Sequence, residues 1–500
     1  MARVIACKNL DGEQVEFVDE VIGSGAMKDV YFSPDRSYVV AFYRTPQDYQ
    51  ARQRLEMITG KYRESIFNQI GGDYWQNLFC WPTGVLEHEG RLGLVAPTYP
   101  GHFFFEHGAK NGDMLKIKGK EKEGKWFAAA SLRQRFLDPR ELGDWLGHLK
   151  ACLLLARAVR RLHMAGLAHS DLSYKNVLVD PSRGLACVID VDGLVVPGKY
   201  PPDVVGTPDF IAPEVVMTSH LPKDDPTRRL PRRETDLHAL AVLIYMYLLY
   251  RHPLRGSQVH DTTDEQRDEM LSMGEKALFV EHPGDASNRI RLASVKPSEL
   301  PWANIDERPF NLTGPYLSRL FEQAFIKGLH DPAQRPSAND WETALVKTVD
   351  LVQPCQNPDC DQKWYVFDNS FKPQCPFCGT NYHGQLPVLN LYSSRKEGQF
   401  RPDNHRLMVW TGQSLFPWHA NSRIAPNEKL TDDQKRRIGY FVLHHSRWWL
   451  VNEGLPDLLD VDSKTPVPIG GKLELKDGQQ ILLEKAQGGR LVVVQMVDAR

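Results

Sequence analysis

Long apolar runs are missing from this sequence. No stretch among its 500 residues approaches eighteen consecutive apolar residues, the length that a membrane-spanning helix requires. The first ten residues, Met1 to Leu10, also lack the apolar core of a secretory signal peptide. Both absences lead us to expect a cytoplasmic protein that has no membrane as a partner.

A strong charge of one sign is also missing. The chain has 61 Lys and Arg against 63 Asp and Glu, a formal net charge of −2 with histidine neutral. Such a balance creates no field that would draw the whole protein onto nucleic acid. We therefore do not expect nucleic acid as a partner, and salt-dependent binding to DNA or RNA would be the observation in its favour.

Cysteine is scarce, and its placement argues against a disulfide-rich class. Four of the eight cysteines are scattered among apolar neighbours: Cys7, Cys80, Cys152 and Cys187. This usage predicts reduced thiols. The other four form two close pairs around fourteen intervening residues: Cys355, Cys360, Cys375 and Cys378. Two such pairs give the tetrahedral four-sulfur set that zinc prefers, so we predict a structural zinc site, a zinc ribbon.

What the sequence does contain is organised around residues 168–179, where an aspartate and an asparagine stand between two apolar runs. Phosphoryl transfer from ATP needs a carboxylate for the proton of the attacking hydroxyl and an amide oxygen for a metal ion. Asp171 and Asn176 can supply these groups. The stretch resembles the H-R-D-L-x-x-x-N catalytic loop of protein kinases, with Ser170 where the arginine usually stands.

A glycine turn between two predicted strands, within residues 16–31, precedes this loop. Gly23 and Gly25 would let backbone amides approach phosphates closely. The turn resembles the kinase glycine-rich loop G-x-G-x-x-G-x-V, with Val30 in the last position and Lys28 in place of the third glycine. The resemblance implies an ATP-binding loop.

The strand predicted over Tyr38 to Arg44 lacks a lysine. Kinases carry here a V-A-I-K run whose lysine holds the α- and β-phosphates, whereas this chain reads Val40-Ala41-Phe42-Tyr43. By this resemblance Ala41 lines the adenine pocket. The loop is similar to that of with-no-lysine kinases, which carry the lysine in the glycine loop, so the resemblance implies that Lys28 holds the phosphates.

Residues 47–69 are predicted to form a helix, because four apolar residues recur on one face: Leu55, Ile58, Tyr62 and Ile66. The order of elements makes this the kinase C-helix, which carries a glutamate that pairs with the lysine. Glu56 lies nearer the apolar face, and Glu64 lies at the more usual distance from the next strand. Both glutamates stay open as the partner.

A buried strand is predicted over Ala186 to Ile189, and it ends in Asp190-Val-Asp192-Gly193. In kinases the equivalent D-F-G aspartate binds magnesium across the phosphates. Asp190 follows the strand directly and is the favoured Mg²⁺ ligand beside Asn176, and Asp192 is the alternative. Two carboxylates crowded near Asn176 would repel each other without a cation.

The segment Gly206 to Glu214 resembles the G-T-x-x-Y-x-A-P-E close of a Ser/Thr kinase activation segment. The resemblance gives structural roles to four residues. Glu214 pairs with Arg335, Asp236 braces the backbone of the catalytic loop, and Thr207 belongs to the activation segment. A glycine- and lysine-rich stretch, Gly108 to Lys125, is predicted to be an exposed hairpin.

After Pro387 the hydrophobic pattern has the period of strands: Leu407 to Trp410, Tyr440 to His444, Trp448 to Asn452, Lys472 to Leu475 and Ile481 to Glu484. A small β-sandwich is predicted. Arg447 to Gly454 and the turns that follow resemble the second half of a forkhead-associated domain. No clear Gly-Arg and Ser-x-x-His pair for phosphothreonine is present, so the resemblance implies the fold and leaves phosphopeptide binding open.

These features predict a multidomain α+β protein with a bilobal protein-kinase-like fold, a zinc ribbon and an all-β sandwich. The expected bounds are 1–100 for the kinase N-lobe, 101–350 for the C-lobe with insertions, 351–385 for the ribbon and 386–500 for the sandwich. The set resembles bacterial Ser/Thr kinases encoded with tellurite-resistance-type phosphorylation modules. That family implies a PP2C-type phosphatase and a von Willebrand A-domain protein as partners.

Two functions compete at this point. The first is a Ser/Thr protein kinase that uses ATP and Mg²⁺ to phosphorylate a protein partner, with Asp171 as base and Lys28 on the phosphates. The second is a pseudokinase scaffold that binds nucleotide and assembles partners. The missing strand lysine favours the scaffold, whereas the retained Asp171, Asn176 and Asp190 favour the enzyme.

Overall fold

The computed structural model describes residues 3–24, 27–196, 199–200, 206–222, 224–367, 372–396 and 398–498. The chain forms two compact units. The first comprises Met1–Gly143, Gly147–Pro301 and Leu320–Glu342, and the second comprises Asp144–Leu146, Trp302–Arg319 and Thr343–Arg500. Residues Trp302–Arg319, which the sequence places in the kinase C-lobe, therefore lie with the C-terminal part of the chain. Among the described residues, no helix combines the length and the apolar character that crossing a bilayer requires.

The first unit begins with a hairpin of β1 (Val4–Lys8) and β2 (Gln14–Val18). A five-stranded antiparallel sheet follows, in the order β3-β4-β5-β7-β6. Its strands are β3 (Gly23–Ser24), β4 (Lys28–Phe32), β5 (Tyr38–Tyr43), β6 (Gly84–His88) and β7 (Arg91–Pro97). The strand predicted over Tyr38 to Arg44 is confirmed as β5.

Strand β5 separates two apolar clusters because successive side chains of a strand point to opposite faces. Val40 and Phe42 pack on one face with Phe17 of the hairpin. Ala41 and Tyr43 pack on the other face. The β4–β5 register places Lys28 opposite Tyr43, so the lysine of the glycine loop and the residue at the expected lysine position are cross-strand neighbours.

The predicted C-helix is present with a wide turn in its middle. It consists of α1 (Tyr49–Met57), a π-helical turn (Ile58–Tyr62) and α2 (Arg63–Phe67), and α3 (Gly72–Gln76) follows. Asp48 caps α1 by accepting a hydrogen bond from the amide of Ala51 at 2.8 Å. Leu55, Ile58 and Ile66 are buried, as their helical spacing predicts.

The remainder of the first unit is mainly helical. Its elements are α4 (Lys110–Asp113), α5 (Ala130–Phe136), α6 (Trp145–Met164, whose first residues belong to the second unit), β8 (Val177–Asp180), β9 (Leu185–Val188), α7 (Pro213–Val216), α8 (Arg233–Leu249) and α9 (Glu265–Met270). Helix α8 is buried along almost its whole length, which is the pattern of a central core helix.

The prediction of an exposed hairpin over Gly108 to Lys125 was wrong about the hairpin, because the stretch contains the short helix α4, and it was right about exposure only for part of the stretch, including residues 114–116 and 118–120. Lys122 is buried between two buried carboxylates, at 3.1 Å from Glu141 and 3.3 Å from Asp180. A buried charge must be paired, and these contacts hold the end of the stretch against the core. The glycine- and lysine-rich composition concealed this burial.

Helices α10 (Gly314–Glu322) and α11 (Ala338–Val349) precede the four late cysteines, which accompany the paired strands β10 (Val352–Pro354) and β11 (Trp364–Val366). Two larger antiparallel sheets follow. The six-stranded sheet has the order β13-β12-β21-β20-β17-β18, and the four-stranded sheet has the order β14-β15-β16-β19. The bounds are β12 (Gln385–Lys396), β13 (Gln399–Met408), β14 (Ser414–Leu415), α12 (Pro417–Ala420), β15 (Gly439–His444), β16 (Arg447–Asn452), β17 (Leu459–Asp460), β18 (Thr465–Pro466), β19 (Lys472–Glu474), β20 (Gln480–Leu482) and β21 (Arg490–Asp498).

The two large sheets share one apolar core. It contains Leu391 and Val492 from the six-stranded sheet and Phe441 and Leu450 from the four-stranded sheet. The strands predicted near 440, 448, 472 and 481 are confirmed within a few residues. The long central pair β12 and β21 was not predicted, because neither segment alternates between apolar and polar residues over its length.

Candidate active site

Asp236, near the start of α8, holds the backbone of the catalytic loop. Its carboxylate accepts hydrogen bonds from the amides of His169 (2.8 Å) and Ser170 (3.1 Å), and His163 Nε2 lies 3.0 Å away. Ser170 has a φ of 67°, which few residues adopt without support. The bracing contacts proposed for Asp236 are therefore formed, and they fix the backbone immediately before Asp171.

Asp171 is half-buried and held from two sides. Oδ1 accepts hydrogen bonds from the amide (2.6 Å) and the hydroxyl (2.8 Å) of Thr207, and Oδ2 accepts one from Asn176 Nδ2 at 3.0 Å. Thr207 thus links the activation segment to the catalytic loop. These hydrogen bonds hold the Asp171 carboxylate in a fixed orientation, as a group that accepts a proton from a substrate hydroxyl requires.

The activation segment is anchored at its other end by Glu214. Arg335 Nη1 and Nη2 bind the two oxygens of Glu214 at 2.8 and 2.7 Å, and Nε donates to Gly328 O at 2.8 Å. The Arg335 side chain is 1% exposed. A buried pair of this kind is a structural contact, because losing either partner would leave an unpaired charge.

The segment Asp190 to Gly193 is joined to the catalytic loop through the residue before it. Ile189 N donates to Asn176 O at 3.0 Å, and Ile189 O lies 3.0 Å from His169 Nε2. Asp190 has a φ of 59°, which turns the chain sharply after β9. Its side chain is 53% exposed, whereas that of Asp192 is 10% exposed.

Lys28 contacts both aspartates from strand β4. Nζ lies 2.6 Å from Asp192 Oδ2 and 3.2 Å from Asp190 Oδ1. Burial alone would lower the pKa of Lys28, but the charges of Asp192 and Asp190 outweigh it and raise the pKa above its usual value. Lys28 is therefore a positively charged group that is held against Asp190 and Asp192.

The two carboxylates differ in their electrostatics. Burial alone would raise the pKa of Asp192, but the charge of Lys28 and the hydrogen bonds it receives lower the pKa to about 2. Repulsion from Asp192 raises the pKa of Asp190. One lysine against two carboxylates leaves a net negative charge, which a divalent cation would relieve.

Tyr43 occupies the position at which the lysine was expected. Its hydroxyl donates a hydrogen bond of 2.5 Å to Asp192 Oδ2, the same oxygen that Lys28 contacts. Burial and the charge of Asp192 raise the pKa of Tyr43 well above its usual value, so the hydroxyl keeps its proton. The sequence analysis did not predict this hydrogen-bond donor. The tyrosine hydroxyl at the end of the otherwise apolar strand β5 was the feature that could have indicated it.

The side chains of Asn176, Asp190 and Asp192 carry oxygen atoms, which are the ligands that magnesium prefers. Lys28 and Tyr43 both donate to Asp192 Oδ2, and the carboxyl group of Asp190 is close enough to hydrogen-bond to the carboxylate of Asp192. Asn176 uses its Nδ2 toward Asp171, and its Oδ1 accepts no hydrogen bond from the described part of the chain. Together with the exposed Asp190, these residues offer oxygen atoms of the type that a divalent cation binds.

Neither glutamate proposed as the lysine partner contacts Lys28. Glu56 and Glu64 are both exposed, and Glu56 instead pairs with Arg52 at 3.1 Å. The charged side chain that α1 buries is Arg54, which is close enough to Tyr43 to act on its pKa. The expected pairing was wrong because the π-helical turn and the helix phase direct Arg54, not a glutamate, toward the sheet.

The remaining predicted nucleotide residues lie along the sheet. Gly23 on β3 pairs with Val30 on β4, and Val30 pairs with Ala41 on β5. Val30 and Ala41 contact the same apolar cluster. A Cβ at Gly23 would meet no atom within 4 Å, so no protein contact requires glycine there. Gly25 lies outside the described residues.

In the second unit, the four late cysteines converge. Cys355 Sγ lies 3.6 Å from Cys378 Sγ, Cys360 Sγ lies 3.9 Å from Cys375 Sγ, and all four sulfurs are within 4.8 Å of one another. Four sulfurs placed about 2.3 Å from a zinc ion are about 3.8 Å apart, so these distances fit. The hydrogen bond from Cys375 lowers the pKa of Cys360 to about 5, which favours the thiolate that binds metal.

The protein kinase domain family matches residues 129–341. Shorter stretches are similar to known kinases: death-associated protein kinase dapk-1 of Caenorhabditis elegans (34% identical over 109 residues), Ser/Thr-protein kinase PSK2 of Saccharomyces cerevisiae (31% over 132 residues) and dual specificity testis-specific protein kinase 1 of Homo sapiens (36% over 100 residues). These stretches are 21%, 25% and 18% of this chain and 7%, 11% and 16% of the relatives.

The chain therefore spans a small part of the length of the relatives it matches. The family match includes Asp171, Asn176, Asp190 and Arg335 and begins after the sheet that carries Lys28. The comparisons support a protein serine/threonine kinase. The family match covers the part of the site that holds the catalytic loop.

Proposed function

We propose that the protein is an ATP- and magnesium-dependent Ser/Thr protein kinase that transfers the γ-phosphate to a protein partner. The proposal rests mainly on the hydrogen bonds of Ile189, which connect the segment after β9 to the catalytic loop. The segment that ends in Asp190 and Asp192 is hydrogen-bonded to the catalytic loop that holds Asp171 and Asn176. Phosphoryl transfer needs these groups together, because its catalysis is mostly positioning and charge stabilisation.

In this proposal Asp171 acts as the base. Its carboxylate is kept in place by Thr207 and Asn176, and it accepts the proton of the substrate hydroxyl as the phosphate is transferred. Lys28 supplies the fixed positive charge on the phosphates from β4 rather than from β5. Bound magnesium, held by Asn176, Asp190 and Asp192, would neutralise charge on the β- and γ-phosphates.

The test is transfer from γ-labelled ATP. Purified protein is incubated with dephosphorylated casein and, separately, with the proteins encoded beside it, in Mg²⁺ or in excess chelator. We expect label on serine or threonine only when Mg²⁺ is present. Nucleotide binding without transfer to any of these proteins, or to the protein itself, would instead identify a pseudokinase scaffold.

We further propose that the four-cysteine cluster is a structural zinc ribbon. All four positions are protein thiolates, which leaves no open site for catalysis. We expect one Zn²⁺ per chain, and we expect Cys375→Ser to lose it and to increase proteolysis only after residue 350, because the metal closes local turns. Cys7→Ser, outside the cluster, is the control. Protein purified without chelator that contains no zinc would contradict the proposal.

The C-terminal sheets are proposed to be a forkhead-associated-like sandwich that serves in partner binding. Support comes from the single core that the two sheets enclose, and the resemblance of the whole chain adds a bacterial tellurite-resistance-type module with a PP2C-type phosphatase and a von Willebrand A-domain protein as partners. None of the eight cysteines forms a disulfide in the described residues, which agrees with a cytoplasmic location. Co-purification of the three proteins is the test, and failure to associate would remove these partners.

A further inference from the structure

Strand β5 carries two tyrosines on opposite faces, and they make different contacts. Tyr38 is half-buried, and its hydroxyl bonds to the backbone N and O of Glu16, each at 2.9 Å. Tyr43 is 6% exposed, and its hydroxyl donates a hydrogen bond of 2.5 Å to Asp192 Oδ2. Only the second tyrosine therefore reaches the residues proposed to hold the cation.

Apolar packing alone does not explain a tyrosine at position 43. Its ring packs with Ala41, Leu55 and Leu94 in an apolar cluster, where phenylalanine would fill the same space. A buried hydroxyl costs free energy unless it is hydrogen-bonded. The hydroxyl of Tyr43 meets this requirement through the carboxylate of Asp192, which connects the end of β5 to the segment after β9.

The two donors at Asp192 arrive from neighbouring strands. Lys28 and Tyr43 are opposite each other in the β4–β5 register, and both contact Oδ2. With two donors on one oxygen, the carboxylate cannot rotate without breaking charge-assisted bonds. Neither Lys28 nor Tyr43 donates to Oδ1.

We propose that Tyr43 is a positioning residue, whose hydroxyl fixes the Asp192 carboxylate through Oδ2 and keeps Oδ1 available to the divalent cation. Tyr43 and Lys28 then divide two tasks: the tyrosine orients the aspartate, and the lysine supplies the positive charge. The inference rests on the proposed function, because the cation in question is the one that accompanies the nucleotide.

The test measures metal binding separately from phosphate transfer. Mn²⁺ serves as the probe, and its binding to the protein with a non-hydrolysable ATP analogue is followed by electron paramagnetic resonance. Tyr43→Phe removes the hydroxyl, Tyr43→Lys keeps a donor, and Tyr38→Phe removes the matched hydroxyl from the other face of the strand. Thermal unfolding of each variant reports on structural damage.

We expect Tyr43→Phe to weaken Mn²⁺ binding about tenfold, because hydrogen bonds to charged groups contribute more than neutral ones. Metal-free binding of the analogue should stay within about twofold of wild type, since the hydroxyl acts through Asp192. Tyr43→Lys should restore most of the Mn²⁺ affinity, and Tyr38→Phe should leave it unchanged.

Two results with the variants would overturn the inference. One is a Mn²⁺ affinity of Tyr43→Phe equal to that of wild type, and the other is an equal loss in Tyr43→Phe and Tyr38→Phe. Absence of Mn²⁺ binding in the wild type would also overturn it. A wild-type protein whose Mn²⁺ affinity depends on the Tyr43 hydroxyl but which transfers no phosphate would refute the proposed kinase activity and leave the inference standing.

Discussion

The catalytic loop and the edge of the sheet that carries Lys28 follow the kinase pattern to different degrees. In the loop, Asp171 and Asn176 stand at the positions that the kinase pattern predicts, and Asp236 braces the backbone beneath them. At the edge of the sheet, the lysine position is Tyr43, and the cation comes from Lys28 on the neighbouring strand. The loop keeps the residues of the kinase pattern, whereas at the sheet edge the lysine stands on β4 instead of β5.

The difference follows from what each region must fix. The loop geometry depends on backbone hydrogen bonds and on an unusual φ at Ser170, so each residue is tied to its place in the chain. A phosphate-binding cation needs only its head group in the correct place, and a long lysine side chain can reach that place from either of two paired strands. Relocation is therefore possible at the sheet edge and not in the loop.

The strongest effect is expected from Asp171→Asn. Removal of the base should reduce phosphate transfer by about 10²- to 10⁴-fold, because this is the usual contribution of general base catalysis. Nucleotide binding should stay near the wild-type value, and both are measured with labelled ATP. Asp225→Asn is the control, since Asp225 accepts the same pair of bonds from Thr227 on the surface. Wild-type transfer by Asp171→Asn would remove this residue from the mechanism.

Lys28→Met should have the next largest effect, a loss of about 10²- to 10³-fold in transfer, because a fixed charge on the phosphates is a large electrostatic term. Combining Lys28→Gly with Tyr43→Lys returns the lysine to β5 and should recover part of the activity. Lys8→Met, on the exposed strand β1, should have no effect. Activity of Lys28→Met within a few-fold of wild type would transfer the role to another cation.

Asp236→Asn should have a moderate effect on both stability and transfer. The amide can accept only part of what the carboxylate accepts, so the free energy of unfolding should fall by about 1–3 kcal/mol, the cost of an unsatisfied buried group. Urea denaturation measures this change. Asp264→Asn, which alters the exposed cap of α9, is the control. Equal stability of the two variants would mean that Asp236 does not brace the loop.

The smallest effect is expected from Glu56→Gln and Glu64→Gln. Both side chains are exposed, and neither contacts Lys28, so transfer should stay within about twofold of wild type. The same transfer assay applies. A loss of tenfold or more in either variant would mean that the helix supplies a lysine partner in the working enzyme.

Much of the loop side of the site was predictable from sequence, because its residues belong to short motifs with recognisable spacing. Asp171 and Asn176 are recognised by their spacing, and the contact between Glu214 and Arg335 by two short motifs far apart in sequence. The four cysteines were equally predictable from their paired spacing. Local patterns determine local geometry, and the spacing of a motif carries that information.

The sheet side was less predictable, because it depends on strand register and helix phase. Lys28 and its loop were recognised, but the donor role of Tyr43 depends on its register opposite Lys28. Burial of Arg54 in place of a glutamate depends on the phase of α1 and the π-helical turn after it. Burial of Lys122 depends on two carboxylates distant in the chain.

The central claim is that Lys28 is the lysine that faces the phosphates. An ATP derivative whose terminal phosphate carries an amine-reactive acyl group transfers that group to a lysine beside the phosphates. Peptide mass spectrometry then identifies the modified residue. We predict modification of Lys28, prevented by excess ATP and absent from Lys28→Met. Modification of another lysine, such as the exposed Lys175 of the catalytic loop, or of no lysine at all, would contradict the claim.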